Sequence, residues 1–263
     1  GLLDLSSVEA QLLPDGDHTE PVAIIGLAGR FPMATDLTEF WVNLAAGRDC
    51  HRSFPATRGA GSVRFGDSSR EAGYLTDIAA FDHAFFDISR REACLIDPNQ
   101  RLFLEEAYHA IEDAGLATSI RGSDTGVWVG HSRDLAVDYA THIRTHYPEL
   151  ATELSVAGNM GSVIASRISY FLDLHGPSVS IDTACSSGLM AVAEAVRALQ
   201  RREVRTALAG SVKVNIEPIG RGLDDEIGIR AADDRTKTFD RSADGISSGE
   251  GACVLVLKLL SDA

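Results

Sequence analysis

The chain has 263 residues, 44% of them hydrophobic and 24% charged, with eight prolines and four cysteines. This is the composition of an ordinary globular protein, and it excludes collagenous, disordered and disulfide-stapled classes. Lys plus Arg number 24 against 38 Asp plus Glu, a net charge of −14, which excludes a generic phosphate-backbone binder. No apolar run approaches the roughly 20 residues of a membrane span, and no basic stretch followed by an apolar block marks a secretion signal. The expectation is a reduced, cytoplasmic α/β protein with no membrane and no nucleic-acid partner.

Residues 1–13 have amphipathic spacing, and Pro14-Asp15-Gly16-Asp17 punctuates them, so residues 1–20 are predicted to be a linker or docking segment. Val22–Leu27 is a short β-branched run, predicted as a strand buried on both faces. Asp36 and Glu39 predict a capping box opening a helix to Ala46, which Gly47 closes. A second helix is predicted from Asp97 as N-cap, Pro98 at the first position and Gln100 completing a box, ending at Gly115. Gly126–Gly130 reads as a buried strand, and residues 131–150 as polar surface. Met160, Val163, Ile164, Ile168 and Phe171 fall at helical spacing up to Asp173. Then come a strand at Ser178–Asp182, a helix from Gly188 to about Arg202, a strand at Ala207–Val214 and a last strand at Cys253–Leu260. Strands alternating with helices predict a mostly parallel sheet between helical layers.

Chemistry concentrates in Ser180-Ile181-Asp182-Thr183-Ala184-Cys185-Ser186-Ser187-Gly188. A strand ends there, the chain turns, and Cys185 stands where a helix begins. Unpaired N–H groups and the helix dipole favour an anionic sulfur at such a place, and the same N–H groups can face a developing oxyanion. A lone cysteine packed behind a sheet is the competing reading. The other cysteines, Cys50, Cys94 and Cys253, have no redox or metal-knuckle spacing and read as packing residues. His131, His142 and His146, spaced by 11 and 4, lack a third convergent ligand and read as a solvated surface, so no metal site is expected.

The stretch Asp182-Thr183-Ala184-Cys185-Ser186-Ser187 resembles the active-site signature of the β-ketoacyl synthases, the condensing enzymes of polyketide and fatty-acid assembly lines. Other stretches match in order: Glu20–Gly26 running on to Arg30-Phe31-Pro32, Phe81-Asp82 through Ser89, Asp97-Pro98-Asn99-Gln100-Arg101, and Glu112–Gly115. Arg167–Phe171, Gly176–Ser178, Lys237–Asp240, Asp244-Gly245 and Gly249-Glu250-Gly251 follow. The set resembles the ketosynthases of type I modular polyketide synthases. Ser247-Ser248 before Gly249 further resembles those of assembly lines with free-standing acyltransferases.

The resemblance implies a thiolase-like layered α/β fold, with residues 21–263 as the N-terminal half of the ketosynthase domain. It implies that Cys185 accepts an acyl chain as a thioester from an acyl carrier protein, whose phosphopantetheine is the only cofactor concerned. Decarboxylative Claisen condensation with a malonyl unit then extends the chain. Met160 matches a position lining the acyl tunnel near the subunit contact, a core methionine being the alternative. The strand before the cysteine pairs across a homodimer in the family. The family's two histidines and its lysine belong to segments of its second half that do not occur here, and none of the eight histidines follows Cys185. The expectation is a complementing C-terminal half on another chain that leaves this one with an unpartnered apolar face. The alternative is a non-elongating ketosynthase that only holds or transfers acyl chains. A cysteine hydrolase would need a histidine in reach of Cys185.

Overall fold

The computed structural model describes residues 20–58, 70–132, 138–152, 154–219 and 228–263. Apart from Glu20, the expected linker lies outside them. The run after Pro21 forms β1 (Val22–Arg30). Helix α1 (Leu37–Ala45) follows, with the Asp36 side chain accepting from Glu39 N. The Glu39 carboxylate turns back to Thr35 N and Oγ1, so the reciprocal half of the box closes one residue before the cap. A short α2 (Arg90–Ala93) precedes α3 (Pro98–Asp113), which Asp97 caps with Pro98 in the first turn. Then come β2 (Gly126–Gly130), α4 (Tyr139–His146), α5 (Leu154–Gly158), α6 (Val163–Leu172), β3 (Ser178–Ile181), α7 (Ser187–Gln200), β4 (Ala207–Lys213) and β5 (Gly251–Leu259).

The strands form one sheet in the order β1-β5-β4-β2-β3. Strands β3, β2 and β4 run parallel, whereas β5 is antiparallel to both β4 and β1. The expected parallel sheet is therefore mixed. β2 and β3 are joined through α4 to α6, and α7 carries the chain from β3 past β2 to β4, whereas β5 pairs antiparallel with the neighbours on both its sides. Strict alternation sends side chains to two cores. Val127, Val129, Val254 and Val256 face Phe103, Ile111, Ile164 and Ile168 of α3 and α6. Trp128, Leu257 and Leu259 face Ala191, Ala195 and Leu199 of α7.

Two expectations about burial change. β1 is an edge strand covered only in part: Ile25 and Ala28 pack with the α3 core and Val22 with the α7 core, while Ile24 and Leu27 are exposed. β5 is already covered within this chain, since it lies between β1 and β4 and contributes Val254, Val256, Leu257 and Leu259 to the two cores. The exposed large apolar side chains include Trp41, Val42 and Leu44 of α1 and Leu189 of α7. No helix among the described residues is long and apolar enough to cross a membrane.

Candidate active site

Cys185 occupies a single 3-10 turn, Ala184–Ser186, between the end of β3 and the first residue of α7. The turn is tight because Ala184 adopts φ 55°, a left-handed conformation that costs an alanine about 1–2 kcal/mol. Side chains hold it there. Ala184 N donates to Asp182 Oδ1 at 3.1 Å, Thr183 N donates to Ser187 Oγ at 2.9 Å, and Ser187 Oγ donates to Ala184 O at 2.7 Å. Ser186 Oγ donates to Thr183 O at 2.8 Å. The strain is thus confined to the residue before the cysteine, which leaves Cys185 exposed and its thiol free.

Helices α1 to α4 each carry an Asp or Ser side chain that accepts from their first turn, whereas α7 has no side-chain cap. The 3-10 turn that feeds it takes up its first N–H groups instead, Ser186 N donating to Thr183 O at 3.4 Å and Ser187 N to Ala184 O. Two glycines bring this helix start onto the sheet. A Cβ on Gly130, the last residue of β2, would stand 2.4 Å from Ser187 C, so only glycine lets β2 and α7 approach this closely. A Cβ on Gly188 would meet the Ser211 side chain of β4 at 3.0–3.2 Å. Gly188 therefore sits under β4.

A cleft of about 90 Å³ opens at the carboxyl ends of β2 and β4, between His131, Lys213, Asn99 and Met160. Open α/β sheets place ligands at this end, which is also where β3 delivers Cys185, although Cys185 is not itself among the lining residues. Small-molecule sites usually measure about 300–1,000 Å³, so the cleft is one wall of a site. Met160 lies in the turn between α5 and α6 and is 46% exposed in this chain.

The run Asp97-Pro98-Asn99-Gln100-Arg101 brackets that cleft from behind. Asn99 Oδ1 accepts from Val214 N at 2.8 Å, gripping the exit of β4. Gln100 Nε2 donates to Ala157 O and Met160 O at 3.1 and 3.0 Å, fixing the turn that carries Met160. Gln100 is thereby drawn away from the capping box that its position predicts. Arg167 donates to Gln100 Oε1 and pairs with Glu92 at 3.4 Å, and burial holds its guanidinium below the ordinary arginine value.

Sequence reasoning singled out Glu250 only as part of a motif. Its side chain is fully buried and paired with Arg58 at 2.6 Å, and it also accepts from Leu75 N and Asn215 N at 2.8 and 2.9 Å. Arg58 lies 4.8 Å over the Phe54 ring. The partners are distant in sequence, so no local spacing announces the pair. Cys94 is exposed rather than a packing residue, because it ends the short α2 at the surface. No histidine among the described residues hydrogen-bonds Cys185, which leaves the hydrolase reading without its base.

The family model described as Beta-ketoacyl synthase, N-terminal domain, matches residues 19–263. The chain belongs to the β-ketoacyl synthase family. It is 44% identical over 262 residues to polyketide synthase GfsA of Streptomyces halstedii, covering 93% of this chain and 3% of that protein. It is 37% identical over 264 residues to polyketide synthase PksN of Bacillus subtilis (strain 168), covering 95% and 5%. Among solved structures, the ketosynthase from module 6 of the bacillaene synthase from Bacillus subtilis 168 superposes with a TM-score of 0.78 at 37% identity, over 92% of this chain and 40% of that one. The fold is thus that of the thiolase-like ketosynthases, and the present chain spans less than half of the solved ketosynthase.

Proposed function

We propose that this chain supplies the nucleophilic half of a polyketide ketosynthase, with Cys185 as the catalytic residue. The observation that carries the reading is an exposed thiol on a strained turn at the start of a helix that glycine presses onto the sheet end. Cys185 Sγ attacks the thioester carbonyl of an acyl chain presented on the phosphopantetheine arm of an acyl carrier protein. The carbonyl oxygen takes up the electron pair, stabilised by backbone N–H donors at the cysteine turn, and collapse expels the pantetheine thiol. In the second step a malonyl thioester loses CO₂, and its carbanion attacks the acyl-Cys185 carbonyl. The Cys185 thiolate leaves, and the chain is longer by two carbons.

Met160 contributes to the wall that receives the acyl chain. The groups that promote decarboxylation come from the remainder of the ketosynthase fold, whichever polypeptide carries it. Its presence would also cover Trp41, Val42, Leu44 and Leu189. Among the described residues β3 pairs only with β2, and its outer edge supports a homodimer through this strand. Ser247-Ser248 supports the assembly-line type with free-standing acyltransferases. The test is coexpression with a complementing ketosynthase half, followed by incubation with an acyl and a malonyl carrier protein. The reading expects a product two carbons longer, abolished in Cys185→Ala; product formed equally by Cys185→Ala overturns it.

A further inference from the structure

Helix α4 places His142 and His146 one turn apart, on one face. Glu217, in the segment leaving β4, faces both. Its Oε1 lies 3.6 Å from His142 Nδ1 and 3.8 Å from His146 Nε2, and the three candidate ligand atoms all fall within 4.8 Å of one another. These separations are too long for hydrogen bonds. The Glu217 side chain is nevertheless only 12% exposed. Its Oε2 and the Nδ1 of His142 are buried with no hydrogen-bond partner among the described residues. Buried polar atoms without partners are costly, so this arrangement calls for something between the three groups.

The spacing fits a cation. A tetrahedral ion with metal–nitrogen and metal–oxygen distances of about 2.0–2.2 Å holds its ligand atoms roughly 3.3–3.6 Å apart. The two Glu217 distances already lie within about half an ångström of that range, and the histidine nitrogens, at most 4.8 Å apart, must close by up to about 1.5 Å. Two imidazoles and one carboxylate suit zinc better than calcium or magnesium, which prefer all-oxygen shells. We propose that His142, His146 and Glu217 form a divalent transition-metal site, with Zn²⁺ as its natural occupant. The fourth position opens to solvent beside His146, which is 42% exposed. The sequence showed the two histidines but not their third ligand, because Glu217 lies 71 residues beyond His146 and only the fold brings it back.

The ion would tie α4 to the exit of β4. Asp138, the N-cap of α4, and Ile216, the neighbour of Glu217, both line the cleft that holds Met160. The site would thus fix two walls of that cleft relative to each other. Metal binding itself does not depend on the condensing reaction.

The test titrates the chelator-stripped chain with Zn²⁺ against a chromophoric chelator, with its thiols alkylated beforehand. One equivalent should bind and raise the melting temperature. His142→Gln, His146→Gln and Glu217→Gln should each lose at least the roughly 10–100-fold in affinity that removal of even a supporting group costs a metal site, with unchanged circular dichroism. Cobalt on the unsubstituted chain should give the visible bands of a tetrahedral nitrogen–oxygen site. No stoichiometric binding to the alkylated chain, an octahedral cobalt spectrum, or wild-type affinity in the Glu217→Gln and His142→Gln variants would overturn the proposal.

Discussion

Gly130→Ala tests whether the sheet end positions the nucleophile. The added Cβ would stand 2.4 Å from Ser187 C and 2.5 Å from Gly188 N, both backbone atoms of the start of α7. Ordinary contact begins near 3.4 Å, so the helix start or the strand must retreat by about 1 Å. Cys185 lies two residues before Ser187 and moves with it. Overpacking of this kind costs roughly 1–3 kcal/mol of stability. A displacement of about 1 Å at a reacting group costs on the order of 100-fold in rate. The assay is the rate of acylation from an acyl-pantetheine thioester, followed by intact mass, beside a urea unfolding curve. The variant should remain folded and acylate on the order of 100 times more slowly. Folded Gly130→Ala that acylates within about threefold of the parent would refute the claim that this contact sets the thiol's position.

Gly188→Ala provides the opposite sign. Its Cβ meets only the Ser211 side chain, which can turn aside, and Ala is favoured over Gly in a helix by about 1 kcal/mol. Acylation should be retained and the urea midpoint should hold or rise; a marked fall would show that Ser211 cannot yield. Glu250→Gln leaves Arg58, 3% exposed, buried against a neutral amide. Breaking a buried pair costs about 3–5 kcal/mol, which should lower the melting temperature by roughly 6–20 °C in a chain of this size; a shift under about 2 °C would contradict the pair's structural role. His109 is held above its ordinary value by its hydrogen bond to Glu106, against opposing burial. Its contribution is therefore complete below about pH 6.5 and fades as pH rises through the folded-state value. The parent should lose more stability than His109→Gln over that rise, and equal losses in denaturant titrations would remove His109 from the account.

What could be read directly from the residues was local. Asp97-Pro98 opening α3, the glycine at 115 ending it and the apolar run of β5 rest on caps and periodicity, which act within one turn or one pleat. The position of Cys185 followed from a strand meeting a helix, and its chemistry from a family signature. What escaped depends on contacts between distant segments. The direction of β5 is set by its pairing with β4 and with the distant β1, and the open face of β1 by which helices happen to cover it. Gln100 looked like a capping residue because its spacing is right, yet the carbonyls of Ala157 and Met160 outbid the helix start. Arg58–Glu250 and the approach of Glu217 to His142 and His146 join residues 71 to 192 positions apart, and no sequence window contains both partners.

The most direct test of the central claim is where an acyl group lands. Cys94 and Cys185 are both exposed, but only Cys185 stands at an uncapped helix start. The chain, incubated with an acyl-pantetheine thioester and digested, should carry one acyl mass on the peptide containing Cys185, and Cys185→Ala should carry none. Acylation of Cys94 at a comparable rate, or a label that survives in Cys185→Ala, would contradict the assignment of Cys185 as the ketosynthase nucleophile.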